Sequence, residues 1–340
     1  KSFHDTAKVK APGVVIGRAI QRHWDTAVSK DGFSKTLAVS WSGFRNYMDQ
    51  RWFYSRLRKP DEKYTSTLLR VTIDGNLEGV LDEHLWIISK LRSTDGSELA
   101  DELRKGFTLR NGQFHLHPLQ NDGTEGAEFS LRCHVAMPFV QTRAAGPGDK
   151  TQEKPIRADE LRRAFNSPFW PYVLATTSVG QEGLDFHVWC DTLIHWDLCH
   201  NPVDLEQREG RIQRFGGLAI RQAIADQVSI PPGSPASTTE SPWFRIADIA
   251  DKEMSDESGL SPWWICKNSN VQRYVFDVPT SEQSHWLEWV KNQRFLYRLV
   301  LGQPNQEDML QLISERFKPD DSAIRNATVN LSPFSLLNKS

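Results

Sequence analysis

The chain has 340 residues, 39% of them hydrophobic and 25% charged, and its 41 basic and 43 acidic residues leave a net charge of −2. That length allows two domains or one large one. The charge balance argues against an autonomous nucleic-acid-binding module, whose affinity rests largely on neutralising phosphates, but one wall of a nucleic-acid channel needs only a few local contacts. No run of about 18 apolar residues is present, so neither a transmembrane helix nor a membrane partner is expected. No signal peptide is visible, and the chain opens Lys1-Ser2-Phe3 without an initiator methionine, which points to a piece of a longer protein. The cysteines at 133, 190, 199 and 266 form no CxxC pair. That spacing predicts no metal site and reads as reduced thiols in a cytoplasmic protein.

In chain order, residues 1–125 read as a mainly helical accessory region. Large apolar residues recur at three and four from Leu37 through Trp41, Phe44, Tyr47 and Met48. Leu77, Val80, Leu81, Leu85, Ile88 and Leu91 form a second helical stripe, entered through Asp74-Gly75-Asn76. Residues 121–126 read as a polar loop. From there the pattern changes. Phe129 to Val140 reads as a strand ending near Pro138, Ala144 to Pro155 as a loop, Arg157 to Phe165 as a helix, and Tyr172 to Thr176 as a strand. Thr192 to Trp196 is a further short strand, and Asp204 to Phe215 a helix preceded by Asn201-Pro202. Strands alternating with helices over 126–227 predict an α/β fold, a parallel sheet flanked by helices, with functional loops at the carboxyl ends of its strands. Residues 228–340 read as a Pro/Ser/Thr-rich linker over 228–242, then a helical extension. One helix is marked by Trp286, Trp289, Val290, Phe295, Leu296 and Leu299, and another spans Gln306 to Phe317.

Two runs carry chemistry. In Gln207-Arg208-Glu209-Gly210-Arg211-Ile212-Gln213-Arg214, residues Gln207, Arg211 and Arg214 stand at i, i+4 and i+7. On a helix those positions share one face, suited to a planar anion such as a nucleoside triphosphate. Leu205 on the other side is expected to anchor the helix to the sheet. Gly210 would let another backbone or a ligand approach closely, and Arg208, rotated off the face, would pair with an acid. In Ala175-Thr176-Thr177-Ser178-Val179-Gly180-Gln181-Glu182-Gly183-Leu184-Asp185, the residues Thr176, Thr177 and Ser178 would place hydroxyls and amides at a strand end. Such groups can hold a nucleic-acid phosphate. Gly180 and Gly183 permit a tight turn. Read blandly, the first run is a solvated basic helix and the second a plain strand–turn–helix joint.

Together, in this order, the two runs resemble motifs V and VI of superfamily 2 helicases and translocases. The series His195-Trp196-Asp197-Leu198, Asn201-Pro202, Leu205-Glu206-Gln207-Arg208, Gly210-Arg211 and Arg214 is similar to the Swi/Snf-type and RapA-like branch. It departs at Cys199, where proline is usual, and at Phe215-Gly216-Gly217, where Ile-Gly-Gln is usual. The resemblance covers about residues 129–225 and implies a RecA-like second lobe. It implies that Arg211 and Arg214 face the γ-phosphate as arginine fingers and that Gln207 contacts nucleotide or water. It also implies that Asp185, after Gly183, holds the ribose or orients a motif VI arginine. ATP with Mg²⁺ is the implied cofactor, and double-stranded DNA the implied track.

A Walker B reading of Leu81-Asp82-Glu83-His84 fails, because its flanks repeat at helical spacing. Asp82 and Glu83 are assigned instead to a solvated helix face. No G-x-x-x-x-G-K-[ST] loop occurs. The phosphate loop and the Mg²⁺ ligands are therefore expected on an N-terminal RecA-like lobe elsewhere in the parent protein, and this chain alone is expected to hydrolyse almost no ATP. The alternatives are a noncatalytic RecA-like module and an RNA-directed motor. His187, His195 and His200 read as buried or loop-lining residues, the aromatics of 166–170 as packing, and the tail tryptophans as core or docking surface.

Overall fold

The computed structural model describes residues 3–23, 30–49, 51–91, 102–103, 112–116, 129–133, 158–169, 171–176, 185–199, 201–228, 240–276, 283–300 and 304–316. It divides into two compact units, Lys1–Glu182 with Pro235–Phe244, and Gly183–Ser234 with Arg245–Ser340.

The first unit begins with six helices: α1 Phe3–Lys10, α2 Pro12–His23, α3 Lys30–Met48, α4 Arg51–Leu57, α5 Tyr64–Asp74 and α6 Leu77–Trp86. A π-helical turn, Ile87–Leu91, continues α6. Helix α2 starts at a proline, whose missing N–H is no loss in the first turn. It presents Val15, Ile16, Ala19 and Ile20 as one buried stripe. These pack with Phe44 and Met48 of α3 and Leu77, Leu81 and Leu85 of α6. Each of these side chains larger than alanine contributes about 1.5–3 kcal/mol of burial. Asn76 caps α6 as its sequence predicts, its side chain accepting from the Gly79 amide at 3.4 Å.

The α2–α6 contact overturns one expectation. Asp82 does not lie on a solvated face: it is 2% exposed. Arg22 Nη1 donates to its Oδ2 at 2.5 Å, and His23 Nε2 lies 3.2 Å from Oδ1. One turn earlier, Glu78 takes both Arg18 nitrogens, at 3.0 and 2.6 Å, and Arg22 Nη2 at 2.6 Å. Acids four apart on α6 meet bases four apart on α2, so the charges enter the interface as pairs, which offsets part of their desolvation cost. Burial alone would raise the Glu78 carboxyl, but hydrogen bonds from Arg18 and Arg22 hold it below its usual range.

Strands β1 Gly112–Leu116 and β2 Phe129–Cys133 form an antiparallel pair, Gly112 opposite Cys133. So the region before 125 holds a strand as well as helices, and the strand expected from Phe129 pairs antiparallel. The loops expected at 121–126 and 144–155 lie outside the described residues. Helix α7, Ala158–Phe165, is where the sequence predicts it. The strand expected over 172–176 is absent: the segment has no regular secondary structure and no ladder partner among the described residues. Val173 is 82% exposed there, and an apolar run without a neighbouring strand to take its N–H and C=O groups makes no sheet. Phe169 packs edge-on against Tyr47 in the helical core, in line with the packing reading of 166–170.

In the second unit, β3 Thr192–His195 is followed by α8 Pro202–Gly210 and α9 Leu218–Gln227. Then come α10 Pro242–Glu253, counted with this unit from Arg245, β4 Gln272–Val275, α11 Gln283–Leu299 and α12 Gln306–Arg316. β3 pairs with β4 in parallel, Thr192 opposite Gln272 and His195 opposite Val275. The expected parallel sheet is thus represented, among the described residues, by two strands in a helix-rich chain. Its second strand comes from beyond residue 228, where only linker and helices are expected. Leu205 is buried not against a strand but with Cys199, Val290 and Trp286; helix α11 covers α8. Trp286 is partly buried against this cluster and stacks on the exposed Trp289 at 4.5 Å.

Candidate functional site

The site is built where α8 ends. Asn201 caps the helix by accepting from the Val203 amide at 2.9 Å, and Pro202 occupies the first turn. The helix closes at Gly210, earlier than the expected Phe215. The Arg211 and Ile212 amides turn back to the carbonyls of Arg208 and Glu209, three residues before each, in a tightened last turn. Ile212 is drawn into a core with Ala219 and Val271. Gln207, exposed, and Arg211 still span one turn, but Arg214 follows through irregular chain. The three do not form the single helical face their spacing predicts, because a buried isoleucine and a glycine end the helix between them. Apart from its chain neighbours and its own helix backbone, no atom lies within 4 Å of a Cβ placed on Gly210, so no other described part of the chain makes the close approach expected there.

What the chain does bring together is Asp185 and Arg214. The Phe186 amide donates to the Arg211 carbonyl at 3.0 Å, and the Leu218 amide to the His187 carbonyl at 2.9 Å. These two bonds lay the 185–188 segment along the turn that follows α8. Arg214 Nη1 then sits 3.0 Å from Asp185 Oδ1, with both side chains partly open to solvent. Arg214 Nε donates to the Gly210 carbonyl at 3.1 Å. One edge of the guanidinium is thus held by its own chain while part of it stays accessible.

Of the departures at 215–217, that at Gly217 has a structural reason. A Cβ on Gly217 would stand 3.1 Å from the Arg214 carbonyl and 3.3 Å from that of Ile212. Gly216, which the usual pattern shares, has φ 61°, in the left-handed region. Two glycines fold the turn back on itself beneath Arg214.

Four further charged residues, Glu209, Arg273, Arg294 and Arg221, shape the site without having been singled out in the sequence. Glu209 is clasped by Arg273 of β4 at 3.0 Å and Arg294 of α11 at 3.5 Å. Arg273 also reaches the Gln213 side chain at 3.4 Å. Arg221 is fully buried, and its presence amid Leu218, Ala219, Ile220, Ala223 and Ile224 is the signal that could have revealed it. Arg208 pairs with no acid through its Nη1; that nitrogen donates to the Asp197 carbonyl at 2.7 Å. His195 is buried on β3, and burial pushes its pKa down. Thr176 is exposed in the first unit, whereas Thr177, Ser178, Gly183 and His200 lie outside the described residues. Among the described residues no cluster of His, Cys, Asp and Glu could hold a metal ion, and no helix is long and apolar enough to cross a membrane.

Residues 149–216 match the family model described as the Helicase conserved C-terminal domain. The match ends just past Arg214 and takes in Thr176, Asp185, Gln207 and Arg211. It implies a RecA-like fold for this segment and a helicase-type C-terminal lobe. No curated protein and no solved structure matches the chain.

Proposed function

We propose that this chain supplies the C-terminal motor lobe of an ATP-dependent helicase or translocase that acts on double-stranded DNA. The observation that carries this reading is the Asp185–Arg214 pair, formed within the segment that matches the helicase C-terminal domain. An arginine destined for a γ-phosphate must be pointed before the phosphate arrives and must stay reachable. A carboxylate on one edge does the first, and a side chain still 41% exposed allows the second. The arrangement fits a nucleoside triphosphate bound between this lobe and another.

In this reading Arg214, oriented by Asp185, and Arg211 reach the γ-phosphate oxygens, where such fingers are worth about 10³ to 10⁵ in rate. Gln207 contacts the nucleotide or its attacking water. Thr176, Thr177 and Ser178 hold the nucleic-acid backbone, and Gly183 gives the turn before Asp185; these four assignments rest on the sequence, and the preference for DNA on the resemblance alone. ATP with Mg²⁺ would supply the phosphoanhydride and the charge neutralisation. The phosphate loop and the metal-binding carboxylates are assigned to an N-terminal RecA-like lobe of the parent protein, the principal partner of this one.

Measuring ATP turnover of the purified chain, alone and with a lobe that carries a phosphate loop and an Asp-Glu box, tests the reading. Negligible turnover alone and nucleic-acid-stimulated turnover together are expected. Motor-like turnover by the chain alone would refute the half-site assignment. Failure of any such lobe to restore turnover would favour a noncatalytic module, and equal stimulation by RNA would remove the DNA preference.

A further inference from the structure

Arg221 is buried to 0% exposure at the first turn of α9. Its Nη1 donates to the Gly216 carbonyl and its Nη2 to the Val188 carbonyl, each at 2.7 Å. Its guanidinium carbon also lies 5.4 Å from the centre of the Trp189 ring. Val188 closes the segment that begins with Asp185, and Gly216 closes the turn that carries Arg214. One planar fork therefore spans the two pieces of chain that must be in register for Asp185 and Arg214 to meet.

A fully buried guanidinium is a costly way to fill a core, since an apolar side chain of similar length fills it without desolvating a charge. What an arginine offers that a hydrocarbon does not is a rigid pair of donors at fixed separation. Here both donors are spent on carbonyls that flank the Asp185–Arg214 pair. We infer that Arg221 is a positioning residue, which sets the geometry of Arg214 by clamping the Val188 and Gly216 carbonyls. Its value for catalysis rests on the finger role proposed above for Arg214; its effect on the geometry of Arg214 does not.

The Arg214 Nε–H, bonded to the Gly210 carbonyl, reports that geometry without any turnover. Heteronuclear NMR of the arginine side chains in the whole 340-residue chain would resolve it, with Arg214→Lys giving the assignment. Arg221→Lys and Arg221→Gln are expected to shift this signal and speed its solvent exchange by about tenfold, the loss of roughly one hydrogen bond's worth of order. Ile224→Val, which trims the same helix's apolar side, is expected to lower stability and leave the signal in place. Folded Arg221 variants with an unaltered Arg214 signal would overturn the inference, as would an equal effect from Ile224→Val. The unmutated protein supplies a check that needs no variant to fold: the Arg221 guanidinium must exchange more slowly than Arg214 Nε–H, and the reverse order also overturns it. In the two-lobe enzyme, Arg221→Lys should lower kcat while leaving KM for ATP nearly constant. A displaced NMR signal in Arg221→Lys, combined with normal turnover in Arg214→Ala, would keep the positioning role and refute the finger role.

Discussion

Replacing Arg214 with alanine separates a structural arginine from a catalytic one by magnitude. The variant loses the 3.0 Å pair with Asp185, whose side chains are 41% and 33% exposed, and the Nε bond to Gly210. Coulomb's law at 3.0 Å gives about 1.4 kcal/mol in bulk water and about 5.5 at an effective dielectric of 20. Solvent screening and side-chain entropy bring measured exposed pairs to about 0.2–1 kcal/mol, and that range applies to a pair this open. The backbone bond adds about 0.5–1.5 kcal/mol, so Arg214→Ala should destabilise the fold by about 1–2 kcal/mol. A lost arginine finger removes about 10³ to 10⁵ in rate, or about 4–7 kcal/mol of barrier lowering. Urea denaturation of the chain reads the first quantity, and nucleic-acid-stimulated ATPase of the two-lobe protein reads the second. Asp185→Asn, which leaves the finger but removes its guide, should fall between wild type and Arg214→Ala in rate. Retention of more than about a tenth of the turnover by Arg214→Ala would refute the reasoning, since the loss would then be no larger than a folding defect explains.

Three further outcomes follow from particular contacts. Asp82→Ala should cost about 1–3 kcal/mol in urea denaturation, because it leaves Arg22 Nη1 and His23 Nε2 without their acceptor at a buried interface while Arg22 keeps Glu78; a change within about 0.5 kcal/mol, the norm for an exposed site, would contradict the buried network. Gly210→Ala should stabilise the chain by about 0.5–1 kcal/mol, since the new methyl meets open space at the end of a helix. If the other lobe closes over that glycine, the same variant should lose two-lobe ATPase despite its gain in stability. His195 gives a pH dependence. Burial lowers its folded pKa, so above about pH 6.5 both folded and unfolded states hold it neutral and it adds no slope. As pH falls below that value the unfolded chain takes up a proton that the folded chain resists, and stability declines until the folded pKa is passed. Denaturation midpoints measured from pH 8 to 5 should show this decline, and His195→Phe should flatten it.

The local signals in this sequence read well. Asn201-Pro202 announced the start of α8, Asn76 that of α6, and the 3–4 spacing of Leu77 to Leu91 and of Trp286 to Leu299 announced helices that are present. Strands are less legible, because each needs a neighbour. Tyr172 to Thr176 has the right composition but no partner among the described residues, while Gln272 to Val275, with two polar residues leading, is the strand that pairs with β3. Strand identity is decided by pairing, which a window of sequence does not contain.

The chemistry divides along the same line. By itself the sequence determined which residue types stand together in chain order: the glutamine and arginines of 207–214, the Thr/Ser run, and Asp185 after its glycine. That order is written in the chain and needs no fold. Only the tertiary structure decided that α8 stops at Gly210, that Arg214 reaches Asp185 through a turn rather than along a helix, and that Arg221 holds the two segments together from below. It also decided that Asp82 is buried, since Arg18 and Arg22 lie about sixty residues away in sequence and only packing α2 on α6 brings them to Glu78 and Asp82. Helical periodicity tells which residues share a face; whether that face meets water, an acid or another helix depends on contacts between distant segments.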